Sequence, residues 1–170
     1  GYKGDVEETN KVLRLHVDGN YWLHTDDLGH MDQAGRLFHH GRAKRMLTRA
    51  GTKVWLGALE DTIMRHPNIE NCCCVKRDDE FERETPVAYV VLKDDTNDTF
   101  AELDEMVRLS EGDSYVPQFY VKTDSIPITE VNKKVDFKKL EEQDIFDSDK
   151  YTIDGNIVTE KTSRFVKQIK

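Results

Sequence analysis

The chain is poor in cysteine, has fewer basic than acidic residues, 25 Lys and Arg against 33 Asp and Glu, and has no long apolar run. Its three cysteines are consecutive, Cys72, Cys73 and Cys74. Neighbouring side chains on a strand point to opposite faces, so this run cannot present the spaced ligands of a zinc site. It reads instead as small residues filling a buried strand in a reducing cytoplasm. No apolar stretch approaches the roughly 18 residues of a membrane span, and no basic, apolar leader opens the sequence. The formal net charge of −8 repels a phosphate backbone, which argues against nonspecific nucleic-acid binding. Also missing are a Gly-rich phosphate-binding loop, internal repeats and low-complexity tracts.

What remains is a polar but foldable composition. Hydrophobic residues make up 37% and charged residues 34%, and Trp22, Trp55, six Tyr and seven Phe argue against disorder. The length of 170 residues suits one domain, or one domain and a piece of another. Residues 1–20 read as a short helix or an irregular lead-in. Tyr21–Leu23 and Gly35–His40 are expected as two strands of one hairpin, joined by DDLGHMDQAG. Met46–Arg49 and Thr52–Val54 flank Ala50-Gly51 as a second hairpin. Leu56, Leu59, Ile63 and Met64 recur at helical spacing, and Pro67 stops that helix. Ile69–Lys76 and Pro86–Lys93 are β-branched runs, expected as antiparallel neighbours. Thr99 can cap a helix over 100–109, Phe119–Lys122 reads as a strand, and Asp136 can cap a helix over 137–143.

This order predicts an α+β fold, with helices on one face of a small antiparallel sheet of about three strands plus a β-hairpin. The break Gly41-Arg42-Ala43-Lys44-Arg45 is the expected boundary. His39-His40 invites a metal reading, but adjacent strand residues face opposite ways, so no shared ion is expected. The segment Ile126–Leu140, IPITEVNKKVDFKKL, places one or two lysines on a loop between a strand and a capped helix. A cation presented that way is suited to an anionic group.

Three islands lie in order: YWLHTDDLG (21–29), GRAKRMLTRAGTKVWLGALED (41–61) and YVPQFYVKTDSIPITEVNKKVD (115–136). Together with the opening GYKGDVEET they resemble the C-terminal part of the adenylate-forming enzymes: acyl-CoA synthetases, adenylation domains of peptide synthetases, and luciferases. The resemblance covers about residues 1–142. It implies a fragment of an ATP-dependent acid–thiol ligase, which turns a carboxylic acid and ATP into an acyl-adenylate and pyrophosphate and then passes the acyl group to coenzyme A. ATP with Mg²⁺, coenzyme A, a small carboxylic acid and the enzyme's own N-terminal adenylation domain are the implied cofactors and partners. Residues 1–40 would be the end of that N-terminal domain, 41–45 a hinge, 46–143 a mobile C-terminal domain and 144–170 a polar extension without a family counterpart.

The resemblance also implies roles. Asp27 matches the aspartate that binds the ribose hydroxyls of AMP; the family has glycine where Asp26 stands, so a side chain there can strain the turn. Arg42 matches the arginine of the family's Gly-Arg motif, near the nucleotide. Arg45 falls at the hinge. Gly51 follows Ala50 where the family commonly has Gly-Gly, on a hairpin bordering the pantetheine tunnel. Glu60 matches a structural helix glutamate. The family's Pro-x-Thr-x-x-Gly-Lys places a catalytic lysine against the developing charge at the α-phosphate. Counting forward from Pro127 gives Asn132 for the glycine and Lys133 for the lysine; counting back from Val135-Asp136 gives Lys134. The forward count is preferred because it needs no gap. Two other readings compete with a coenzyme A ligase: an adenylation domain loading a carrier protein, and a non-enzymatic α+β binding module.

Overall fold

The computed structural model describes residues 1–79, 81–94, 99–143 and 145, with the backbone of three further strands at 151–153, 156–157 and 165–168. The chain divides into two compact units, Gly1–Lys44 and Arg45–Lys170.

The first unit holds helix α1 (Val6–Val12) and two antiparallel ribbons. The side chain of Asp5 caps α1 by accepting the N–H of Glu8 at 2.9 Å. Strand β1 (Leu13–Leu15) pairs with β2 (Tyr21–Leu23), and β3 (Asp27–Met31) pairs with β4 (Leu37–Arg42). The expected hairpin of Tyr21–Leu23 with Gly35–His40 is therefore corrected to two ribbons. Half of the Asp- and Gly-rich segment that looked like one long turn, Asp27–Met31, is itself a strand. Only its end, Asp32–Gly35, turns, with Gly35 N–H donating to Asp32 O at 3.0 Å. None of residues 1–44 is buried.

In the second unit, β5 (Met46–Arg49) and β6 (Thr52–Trp55) form the second hairpin. Helix α2 (Leu56–Ile63) follows directly. Strands β7 (Ile69–Asp79) and β8 (Arg83–Leu92) are antiparallel and longer than the sequence suggested. Helix α3 (Thr99–Glu111) leads to β9 (Phe119–Lys122), which lies parallel to β8 because the α3 crossover carries the chain back to the same end. A short helix α4 (Phe137–Glu142) closes the described core. Within the segment expected as a polar extension, β10 (Tyr151–Ile153), β11 (Asn156–Ile157) and β12 (Phe165–Gln168) add to the edge beyond β9.

The architecture is α+β, but its helices cover both faces of the sheet rather than one. On one face Leu56, Leu59 and Ile63 of α2 and Leu103 and Val107 of α3 pack over Ala88 and Val90. On the other, Leu140 of α4 packs with Val87, Tyr89 and Val91. The period-2 pleat sends alternate residues of β8 into the two cores, so the whole run 85–91 is buried. Cys73 and Cys74 divide the same way, one to each core, and all three cysteines are free thiols.

Candidate active site

Candidate site residues occur in each of the two units. In the first, Asp27 and Arg42 are register partners across β3–β4, and Arg42 Nε lies 2.9 Å from Asp27 Oδ1. Arg42 Nη1 also donates to Thr25 O at 2.9 Å, which holds the guanidinium against the strand end. His39 Nε2 approaches the same Asp27 oxygen at 3.8 Å, while His40 turns to His30 at 2.7 Å. The two adjacent histidines thus have different partners. Asp26, the residue before Asp27, has φ +60°, and its carbonyl accepts the Ala43 N–H at 2.8 Å. Aspartate tolerates this left-handed backbone better than most residues. The position where the resemblance expects glycine therefore keeps a glycine-type backbone despite its side chain.

The hairpin of the second unit repeats the pattern. Ala50 has φ +46° and Gly51 φ +83°, the two left-handed residues of a tight two-residue turn. A side chain at Gly51 would meet no atom within 4 Å here, so backbone conformation alone favours glycine in this unit.

The lysine loop is closed by its own hydrogen bonds. Ile128 and Val135 bridge its base, and Thr129 N–H donates to Lys134 O at 2.8 Å. Asn132 Oδ1 accepts the Lys134 N–H at 3.1 Å and also the Thr129 hydroxyl. Lys133, between them, has φ +55°. Both lysines are exposed. Behind them Asp136 caps α4, accepting the Lys139 N–H at 3.1 Å. The far end of α4 is held from β7 and β8: Arg77 Nη2 donates to Leu140 O at 2.8 Å and to Gln143 O, and Tyr89 Oη donates to Leu140 O at 2.9 Å.

Arg45 is the first residue of the second unit, and its side chain is anchored there. It forms a two-bond pair with Glu60, at 2.9 and 2.5 Å, and donates to Cys74 O at 3.1 Å. Burial opposes its charge, but Glu60 more than compensates and holds its pKa above the ordinary value. Glu60 Oε1 also accepts the Cys74 N–H at 2.7 Å, so this glutamate ties α2 to β7, a structural role. The Arg45 guanidinium lies over the ring of Phe137, 4.6 Å from its centroid. Sequence reasoning missed Phe137, Arg77 and Tyr89 as supports of the loop. Their partners are 51 to 92 residues away along the chain, and no local pattern announces them.

Residues 58–133 match the family described as AMP-binding enzyme C-terminal domain. The long-chain-fatty-acid–CoA ligase of Bacillus subtilis (strain 168) is 32% identical over 143 residues, 84% of this chain and 25% of that protein. The 4-coumarate–CoA ligase 1 of Glycine max is 35% identical over 99 residues, 58% of this chain and 32% of that protein. The structure of amide bond synthetase McbA from Marinactinospora thermotolerans superimposes with a TM-score of 0.70 at 30% identity, covering 83% of this chain and 27% of that one. The chain belongs to the adenylate-forming enzymes and carries their AMP-binding C-terminal domain. It spans about a quarter to a third of the length of these relatives.

Proposed function

We propose that the chain is the C-terminal part of an AMP-forming acid–thiol ligase, and that Lys134 is its catalytic lysine. The observation that carries the assignment is the backbone of the loop. Lys133 occupies the left-handed conformation in which the family motif places glycine. The residue after that position is Lys134, whose amide is fixed by Asn132 and which stands two residues before the cap of α4. The backward count from Val135-Asp136 is thereby favoured over the forward one, with one residue inserted between Thr129 and Asn132.

In this reading a large N-terminal adenylation domain supplies the acyl pocket and phosphate loop. Lys134 is delivered to it and stabilises the charge that builds as the carboxylate attacks the α-phosphorus of ATP and pyrophosphate leaves. Asp27 accepts the ribose hydroxyls, its carboxylate oriented by Arg42. Mg²⁺ bound with ATP would offset the charge of its phosphates. Segment 41–45 is the hinge, with Gly41 at φ +107° supplying backbone freedom and Arg45 fastened to the moving side. Residues 1–40 close the N-terminal domain, 46–143 form the mobile domain and 144–170 an extension. Gly51 presents a bare backbone to the pantetheine arm of coenzyme A in the second half-reaction. Coenzyme A is favoured over a carrier protein because the curated relatives are named CoA ligases. A cytoplasmic location suits the free thiols, and no helix among the described residues is long and apolar enough to cross a membrane.

The test is pyrophosphate exchange with the full-length enzyme. Lys134→Ala is expected to lower the adenylation rate by about 10²–10³, the effect of removing one donor aimed at a transition-state charge. A folded Lys134→Ala enzyme that adenylates at the normal rate overturns the assignment.

A further inference from the structure

The lysine loop is exposed at its tip, so something must hold its base in one orientation. Asp136 fixes the start of α4, Arg77 with Tyr89 its end, and buried Leu140 seats it on the sheet. At the loop end of the helix a further contact is made by the guanidinium of Arg45 against the ring of Phe137, the first residue of α4 and three residues after Lys134. Arg45 is itself immobilised by three hydrogen bonds, two to Glu60 on α2 and one to the Cys74 carbonyl on β7. Its side chain is only 25% exposed and that of Glu60 18%, so water competes weakly for the pair. A planar guanidinium can stack on an aromatic face while its edge stays hydrogen-bonded, here through Nη1 and Nη2 with the buried Nε unpartnered. Lysine cannot do both.

We infer that Arg45 and Phe137 are positioning residues for the adenylation lysine. The stack couples the end of the interunit linker, through α2 and β7, to the helix that carries the lysine loop. Neither residue touches the reacting atoms; they set where Lys134 points. The inference rests on the reading of Lys134 as the catalytic lysine. It adds that this lysine is oriented through a residue 89 positions earlier, at the start of the second unit. Because a displacement of about 1 Å can cost 10²-fold in rate, losing this support is expected to show in kcat rather than in substrate binding.

The experiment compares Arg45→Lys, Phe137→Leu, the double variant and Phe137→Trp in the full-length enzyme, with Lys134→Ala as reference. Adenylation is followed by pyrophosphate exchange. Acyl transfer from preformed acyl-adenylate is measured separately, and melting temperature reports folding. Arg45→Lys and Phe137→Leu are each expected to lower adenylation kcat by about 3- to 30-fold, the range of a partly desolvated cation–aromatic contact. The KM for ATP and the acyl-transfer rate should change less than 2-fold, roughly the smallest difference such kinetics resolve. The double variant should be no slower than the worse single one, because both remove the same contact. Phe137→Trp, which keeps an aromatic face, should stay near the parent rate. Equal losses in both half-reactions, or multiplying losses in the double variant, mean general damage and overturn the inference. So does an unchanged adenylation rate in folded single variants. If Lys134→Ala itself leaves adenylation intact, the underlying reading fails instead, and the two failures are distinguishable.

Discussion

The side-chain carbonyl of Asn132 accepts the backbone N–H of Lys134 at 3.1 Å, spanning a Lys133 held at φ +55°. A left-handed non-glycine residue costs on the order of 1 kcal/mol, so Lys133 is strained where Lys134 is not. Lys133→Gly should therefore leave adenylation within about 3-fold of the parent and raise stability by up to about 1 kcal/mol. Denaturant melts and pyrophosphate exchange on the same variant check both points. A loss of activity as large as that of Lys134→Ala would return the catalytic role to Lys133.

The Ala50-Gly51 turn has the same strain at its first position, Ala50 at φ +46°. Ala50→Gly should stabilise the protein by roughly 0.5–1 kcal/mol, and Gly51→Ala should destabilise it by at least as much. If Gly51 also borders a pantetheine channel, Gly51→Ala should slow acyl transfer more than adenylation. Equal effects on the two half-reactions would leave Gly51 a turn residue only.

The thiols of Cys73 and Cys74 are buried, and desolvation pushes both pKa values far up, with the Glu60 charge adding to the shift. Thiolate is the reactive form. At pH 8 a thiol reagent should modify the half-buried Cys72 first. It should reach Cys73 and Cys74 at least about 100-fold more slowly, and quickly only in denaturant. Mass spectrometry of partially modified protein locates the label. Simultaneous modification of all three in the native state would contradict the two-sided core.

The 170-residue chain by itself should release no pyrophosphate from ATP and a carboxylic acid. A positioned cation accelerates only a transition state that other groups assemble. Detectable turnover by the isolated chain would show that it carries an acyl pocket of its own.

The sequence by itself determined the local pieces. Helical spacing of Leu56, Leu59 and Ile63, the β-branched runs around Val75 and Val87, and the Asp136 cap are all written within a few neighbours, and each appears in place. The order of three islands was enough to indicate the family. Tertiary structure decided what depends on partners far along the chain. Strand pairing was one such choice: Tyr21–Leu23 could pair with either flank, and hydrogen bonding to Leu13–Leu15 won. The second core over the far face of the sheet was another, because a continuous apolar run such as 85–91 does not say which faces will be covered. The backbones of Lys133 and Lys134 are the clearest case. Two adjacent identical residues offer the same side chain to any sequence count; the loop's closure on Thr129 and Asn132 sets Lys133 alone in the left-handed region, the difference on which the proposal for Lys134 rests.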